Sequence, residues 1–151
     1  MNHVAFIRPD VAAKIRRGSK TIESRLSRNR PPAWQVEAGD CILFKETGGE
    51  ITLQATVAQV HRFDALRPCD IEALADLFSP AMDTSPANPY WSRKARSRYA
   101  VFIVLDQVTE VTFPPAATPR GVRSAWVTDF RAGDLATVVR SSRLPSQPTL
   151  I

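Results

Sequence analysis

The chain has 151 residues, 44% of them hydrophobic, with 20 Lys and Arg against 15 Asp and Glu. That length suits one domain, and the apolar fraction supports a buried core and excludes wholesale disorder. A formal net charge of +5, carried by arginine apart from Lys14, Lys20, Lys45 and Lys94, leans toward a polyanionic partner, because guanidinium groups bind phosphate in bidentate fashion.

The chain opens with an apolar run, His3 to Ile7, that reads as a strand. Pro9 fits a first helical turn, with Asp10 at the positive end and Val11, Ala12 and Ile15 as a narrow apolar stripe. Lys14, Arg16 and Arg17 load the other end and Gly18 stops it, which predicts a helix over 9–17. From Thr21 to Leu26 the residues alternate, Ile22 and Leu26 against Thr21, Glu23 and Arg25, as in a half-buried strand. Arg28 to Pro32 is a basic loop, and Trp34 reads as an anchor on the core. Gly39-Asp40 turns the chain into a strand Cys41–Glu46, and Gly48-Gly49 makes a hairpin turn into Ile51–Val60, where Val60 breaks the parity of Ile51, Leu53, Ala55 and Val57. A bulge or bend there suits a small curved barrel.

Asp70 is placed to cap a helix running to about Phe78, with Ile71, Leu74, Ala75 and Phe78 inward. Ser79 to Pro89 reads as a loop and Tyr90 to Arg98 as a short helix. Tyr99 to Leu105 is a central strand continued by Val108 to Phe113, and Ser124 to Phe130 is one more strand. Leu144 onward is a loose tail. Together these elements describe an α+β domain on a small barrel. No stretch approaches the roughly 20 apolar residues of a membrane helix, and MNHVAFIRPD reaches a charge and a proline before any signal-peptide core forms. A soluble, cytosolic protein is expected.

Gly18-Ser19-Lys20-Thr21-Ile22-Glu23-Ser24-Arg25 fits GxKxxExR, a pattern of four fixed residues that arises by chance in roughly one chain of this length in several hundred. The segment resembles the signature of the ASCH domain, a branch of the PUA-like superfamily. Gly39-Asp40-Cys41-Ile42-Leu43-Phe44 is similar to that family's GD-led strand, and Tyr99-Ala100-Val101-Phe102-Ile103 to the closing strand of its longer members. The resemblance covers residues 3–113. It divides the chain into a domain over 1–113 and a C-terminal extension over 114–151, the latter one more strand or helix and a tail. It implies a PUA-like mixed β-barrel of five or six strands with flanking short helices, and a cleft floored by the GxKxxExR segment. It also implies RNA as partner, around an exposed or modified base. The alternatives are a ribonuclease or N4-acylcytidine amidohydrolase using Lys20, or a protein-interaction module in transcription. The amidohydrolases carry threonine at the place of Glu23.

The residues themselves leave two readings open. Lys20 and Glu23, three apart, fall on opposite faces of a regular strand and share a cleft only if Lys20 lies in the turn before pairing begins. Glu23 and Arg25 share a face, and a plain surface ion pair is the alternative to a functional site. Tyr90 to Tyr99 interleaves Arg93, Lys94, Arg96 and Arg98 with aromatics, which suits phosphate contacts with base stacking. The other reading is a solvated helix face pinned by its rings, with Trp91 in the core and Tyr99 at the cleft. Ser97 is a candidate nucleophile if it comes near Lys20. The nucleic-acid-binding set is therefore Gly18, Lys20, Arg25, Lys45, Arg93, Lys94, Arg98 and Tyr99, and the catalytic candidates are Lys20, Glu23 and Ser97.

No metal or cofactor is expected. Cys41, Cys69, His3 and His61 supply at most one scattered zinc site, and buried thiols with ordinary histidines are the plainer reading. Asp64, Asp70, Glu72 and Asp76 read as an exposed acidic helix face. Arg120, Arg123, Arg131, Arg140 and Arg143 make the last third basic, either as more polyanion surface or to keep a tail soluble.

Overall fold

A computed structural model describes residues 1–113, 125–128 and 140–143, the last four by their backbone alone. In chain order it contains β1 (Asn2–Ile7), α1 (Pro9–Arg16), β2 (Ile22–Ser27), β3 (Cys41–Glu46), β4 (Ile51–Phe63), α2 (Pro68–Phe78), α3 (Pro89–Arg93), β5 (Tyr99–Thr112), β6 (Trp126–Val127) and β7 (Arg140–Arg143). The strands form one mixed sheet in the order β2-β5-β4-β3-β1-β6, with β7 also on β5. Among the described strands β1 and β3 alone run parallel, with α1 in the crossover between them; the other pairs are antiparallel.

The long strands β4 and β5 make the sheet curl into a half-barrel. Their register shifts between Gln54 and Thr56 and again between Val57 and Gln59, so the parity break read at Val60 is a pair of bulges just before it. The concave side buries Ala5, Ile15, Ile42, Phe44, Leu53, Val57, Val101 and Ile103 in one cluster. Behind β2 and β5, α2 and α3 bury a second cluster in which Phe78 stacks on Phe102 with ring centroids 3.9 Å apart. Trp91 belongs to it, as expected, and Trp34 packs against the first. A polar network pins the chain start: Trp126 Nε1 donates to His3 Nδ1 (3.4 Å), so the ring proton sits on Nε2, which donates to Asp40 (2.8 Å).

Several sequence expectations are corrected. The second helix starts three residues earlier than an Asp70 cap implies, at Pro68; Asp70 is its third residue and accepts the Arg67 backbone N–H at 2.8 Å. The third helix ends at Arg93 rather than Arg98, and the two apolar runs from Tyr99 form one strand, β5. Strand β2 is not half-buried: Ile22, Glu23, Ser24 and Leu26 are all buried, so its polar face points inward. The strand read over Ser124 to Phe130 is two residues long among the described ones. Cys69 is exposed on α2, whereas Cys41 is partly buried and burial pushes its thiol up to about 11. Asp64, Glu72 and Asp76 are exposed. Arg120, Arg123, Arg131 and the segment from Leu144 lie outside the described residues. Among those described, no helix is long and apolar enough to cross a membrane.

Candidate functional site

Curling leaves two unjoined sheet edges, β2 on one side and β1 with β6 on the other. Arg25 bridges them: its Nη1 and Nη2 donate to the carbonyls of Ala125 (3.2 Å) and Phe6 (3.1 Å), and its guanidinium lies 5.2 Å from the Trp126 ring centroid. Along this seam runs a cleft of about 710 Å³, within the range of ligand pockets. Among the described residues its basic lining is Arg8, Lys14, Lys20, Arg25, Arg30, Arg93 and Lys94, and its carboxylates are Asp10 and Glu23.

Lys20 reaches the floor because of how α1 ends. Gly18 takes φ +82°, a left-handed conformation that costs a side-chain-bearing residue about 1–2 kcal/mol. The amides of Ser19 and Lys20 both bond back to the Lys14 carbonyl (3.1 Å each). Thr21 then clamps the chain between Ala81 and Leu105 by backbone hydrogen bonds of 2.8 and 2.9 Å. Lys20 thus sits in the turn before β2, the one placement that lets it share a cleft with Glu23. Both are only 5% exposed. Glu23 Oε1 accepts the Ser24 N–H (2.9 Å) and lies 3.9 Å from Arg25 Nε. Glu23 Oε2 and Arg25 Nε are buried without a hydrogen bond among the described residues. The surface ion pair of the plainer reading is therefore an enclosed one. Burial lowers the Lys20 pKa; Glu23 opposes the shift, while Arg25 and Lys14 add to it.

Two residues that sequence reasoning passed over belong to the same cleft. Ser24, on the helix side of β2, is hydrogen-bonded to the Tyr90 hydroxyl of α3 (2.9 Å). Burial pushes the Tyr90 phenol up to about 12 despite that bond. Tyr90 was legible as part of an aromatic and basic stretch, but choosing it over Tyr99 required the helix to end at Arg93. Tyr99 instead packs edge-on against Trp34 (5.6 Å), under the Arg30 guanidinium. Of the predicted residues, Lys20, Glu23, Arg25, Arg93 and Lys94 line the cleft. Lys94 donates to the Leu26 carbonyl (3.2 Å), and burial lowers its pKa. Gly18 acts through the turn. Lys45 is elsewhere: it is buried beside Phe6 with its amine 5.2 Å from that ring. Ser97 and Arg98 line a separate cavity, so the structure does not bring Ser97 to Lys20.

The half-barrel and its flanking helices have solved counterparts. The chain is similar to the ASCH crystal structure from Zymomonas mobilis, with TM-score 0.57 and 17% identity over 73% of this chain and 70% of that one. A tyrosine-to-phenylalanine form of that protein aligns with TM-score 0.58 and 17% identity over 74% and 73% of the two chains. A serine-to-alanine form gives 0.54 and 16% over 73% and 70%. The fold is that of the ASCH domain. No family model matches the sequence, and no curated protein matches it. At 16–17% identity the likeness is one of fold. As the resemblance implied, the fold is α+β and PUA-like, and the GxKxxExR segment lies on the cleft floor.

Proposed function

We propose that the seam cleft binds one exposed or modified nucleotide of single-stranded RNA. The observation that supports this reading is the enclosed trio of Lys20, Glu23 and Arg25. It offers unpartnered donors and one unpartnered carboxylate oxygen, Oε2, on the floor of a cleft with a basic rim. A base edge carries both carbonyl or ring-nitrogen acceptors and N–H donors, so it can engage both signs at once. Met82, Tyr90 and Trp126 supply walls for the ring. Arg93 has no side-chain partner among the described residues, and Arg30 only the faces of Trp34 and Tyr99, which leaves both guanidiniums for phosphate. With two or three phosphates neutralised, log affinity for a single strand falls against log salt with a slope of about −1.5 to −2. Fluorescence anisotropy with a short labelled RNA from ~50 to ~200 mM salt measures that slope. Absence of binding at the lower salt counts against the reading.

One observation favours a hydrolytic second reading. Burial lowers the pKa of Lys20 in the cleft that also holds Ser24, and a neutral amine can serve a hydroxyl nucleophile as base. Turnover of RNA or N4-acetylcytidine, lost in Lys20→Arg, is its test, since guanidinium stays protonated.

A further inference from the structure

A second cavity neighbours the cleft. Asn29 lines both, and the second encloses about 500 Å³ between the end of β2, the start of α2 and the segment joining α3 to β5. Among the described residues its charged lining consists of Arg28, Arg67, Arg96 and Arg98, without a carboxylate. Arg67 is held by Asp70 at 3.2 and 3.3 Å. Arg28, Arg96 and Arg98 have no side-chain partner among the described residues. Like charges do not gather in a hollow without a cost in repulsion, so their placement calls for an anion.

The scaffold under these residues is well fixed. The Arg98 amide donates to the Ser27 carbonyl (3.0 Å), and the Leu66 amide to the Arg98 carbonyl (3.1 Å). The Ser27 hydroxyl donates to the Asn29 carbonyl and holds the turn that carries Arg28. Three chain segments are thereby joined at the cavity rim.

We infer that this cavity takes the backbone phosphate of the nucleotide adjoining the one in the cleft, the strand passing over Asn29. The inference rests on the RNA reading of the cleft and extends it to a two-step track, in which affinity depends on chain length as well as on one base. A nucleoside monophosphate occupies the cleft alone, whereas a trinucleotide also reaches the arginines.

The test compares the two probes on the parent and on Arg96→Ala/Arg98→Ala, whose substituted side chains are exposed. The parent should bind the trinucleotide about tenfold more tightly than the monophosphate. The double variant should lose that gain, keep the monophosphate affinity and show a salt slope shallower by about 0.7 for the trinucleotide. Arg28→Ala, in the same cavity lining, should reproduce the loss if the double variant proves unstable. A monophosphate that binds with no gain on lengthening, or a gain that survives in both variants, overturns the second site and leaves the cleft reading standing. A parent that binds neither probe overturns the cleft reading, and this one with it.

Discussion

Arg25 should be the residue whose loss most weakens the seam, because it joins two sheet edges that share no backbone ladder. Its two hydrogen bonds to the Ala125 and Phe6 carbonyls come from a charged donor, a class worth about 1.5–3 kcal/mol each. The side chain is 18% exposed, which places each bond at the low end of that range, and the contact with Trp126 adds about 0.5 kcal/mol. Arg25→Ala should therefore cost about 3.5 kcal/mol. For a domain of this size each kcal/mol lowers Tm by about 2–4 °C, so the expected drop is about 7–14 °C. Arg25→Lys can span to only one carbonyl and should lose about half as much. Thermal unfolding followed by circular dichroism measures all three proteins. An Arg25→Ala variant melting within about 2 °C of the parent would show that the seam is held by other contacts.

Gly18→Ala forces a left-handed turn on alanine and should cost about 1–2 kcal/mol by denaturant titration; an unchanged midpoint would mean that the turn rearranges freely. Glu23→Gln removes the negative charge that supports the Lys20 ammonium, so the Lys20 pKa should fall further; NMR of the lysine amine against pH reads this, and a rise would contradict the assigned geometry. Asp40 is opposed by its own burial, yet hydrogen bonds from His3, the Glu37 amide and the chain start hold its pKa below 3.8. Its contribution to stability is therefore present above pH 3.8 and is lost as pH falls through the lower folded value. Asp40→Asn should flatten the acid side of the stability profile, and a profile as steep as the parent's would refute the assignment.

Much of the fold was legible because local signals and tertiary structure agree. Pro9 and Gly18 bracket α1, Gly39-Asp40 opens β3, and the apolar spacing of α2 matches the residues it buries. The Lys20 turn was legible as a condition, since the spacing to Glu23 admitted one solution. What stayed hidden depends on sheet closure. Alternation in β2 separates two faces, yet nothing local says that the polar face is also covered, because its cover is the opposite sheet edge about a hundred residues away at Ala125. Ser24 looked like a spacer inside a motif until Tyr90 met it from α3. Lys45 was counted with the polyanion-facing residues by charge alone, and strand parity turns it to the other side of the sheet beside Phe6.

The most direct measurement is the binding of a short single-stranded RNA to the parent and to Lys20→Ala across a salt series, with Tm recorded for both. Lys20 makes no side-chain hydrogen bond among the described residues, and its burial disfavours the charge it carries, so its removal should leave Tm unchanged or slightly higher. Affinity should fall at least tenfold, with the salt slope shallower by about 0.7 if the ammonium meets a phosphate. A Lys20→Ala protein that melts like the parent and binds RNA with the parent's affinity would contradict the account, because the seam would then hold no nucleotide.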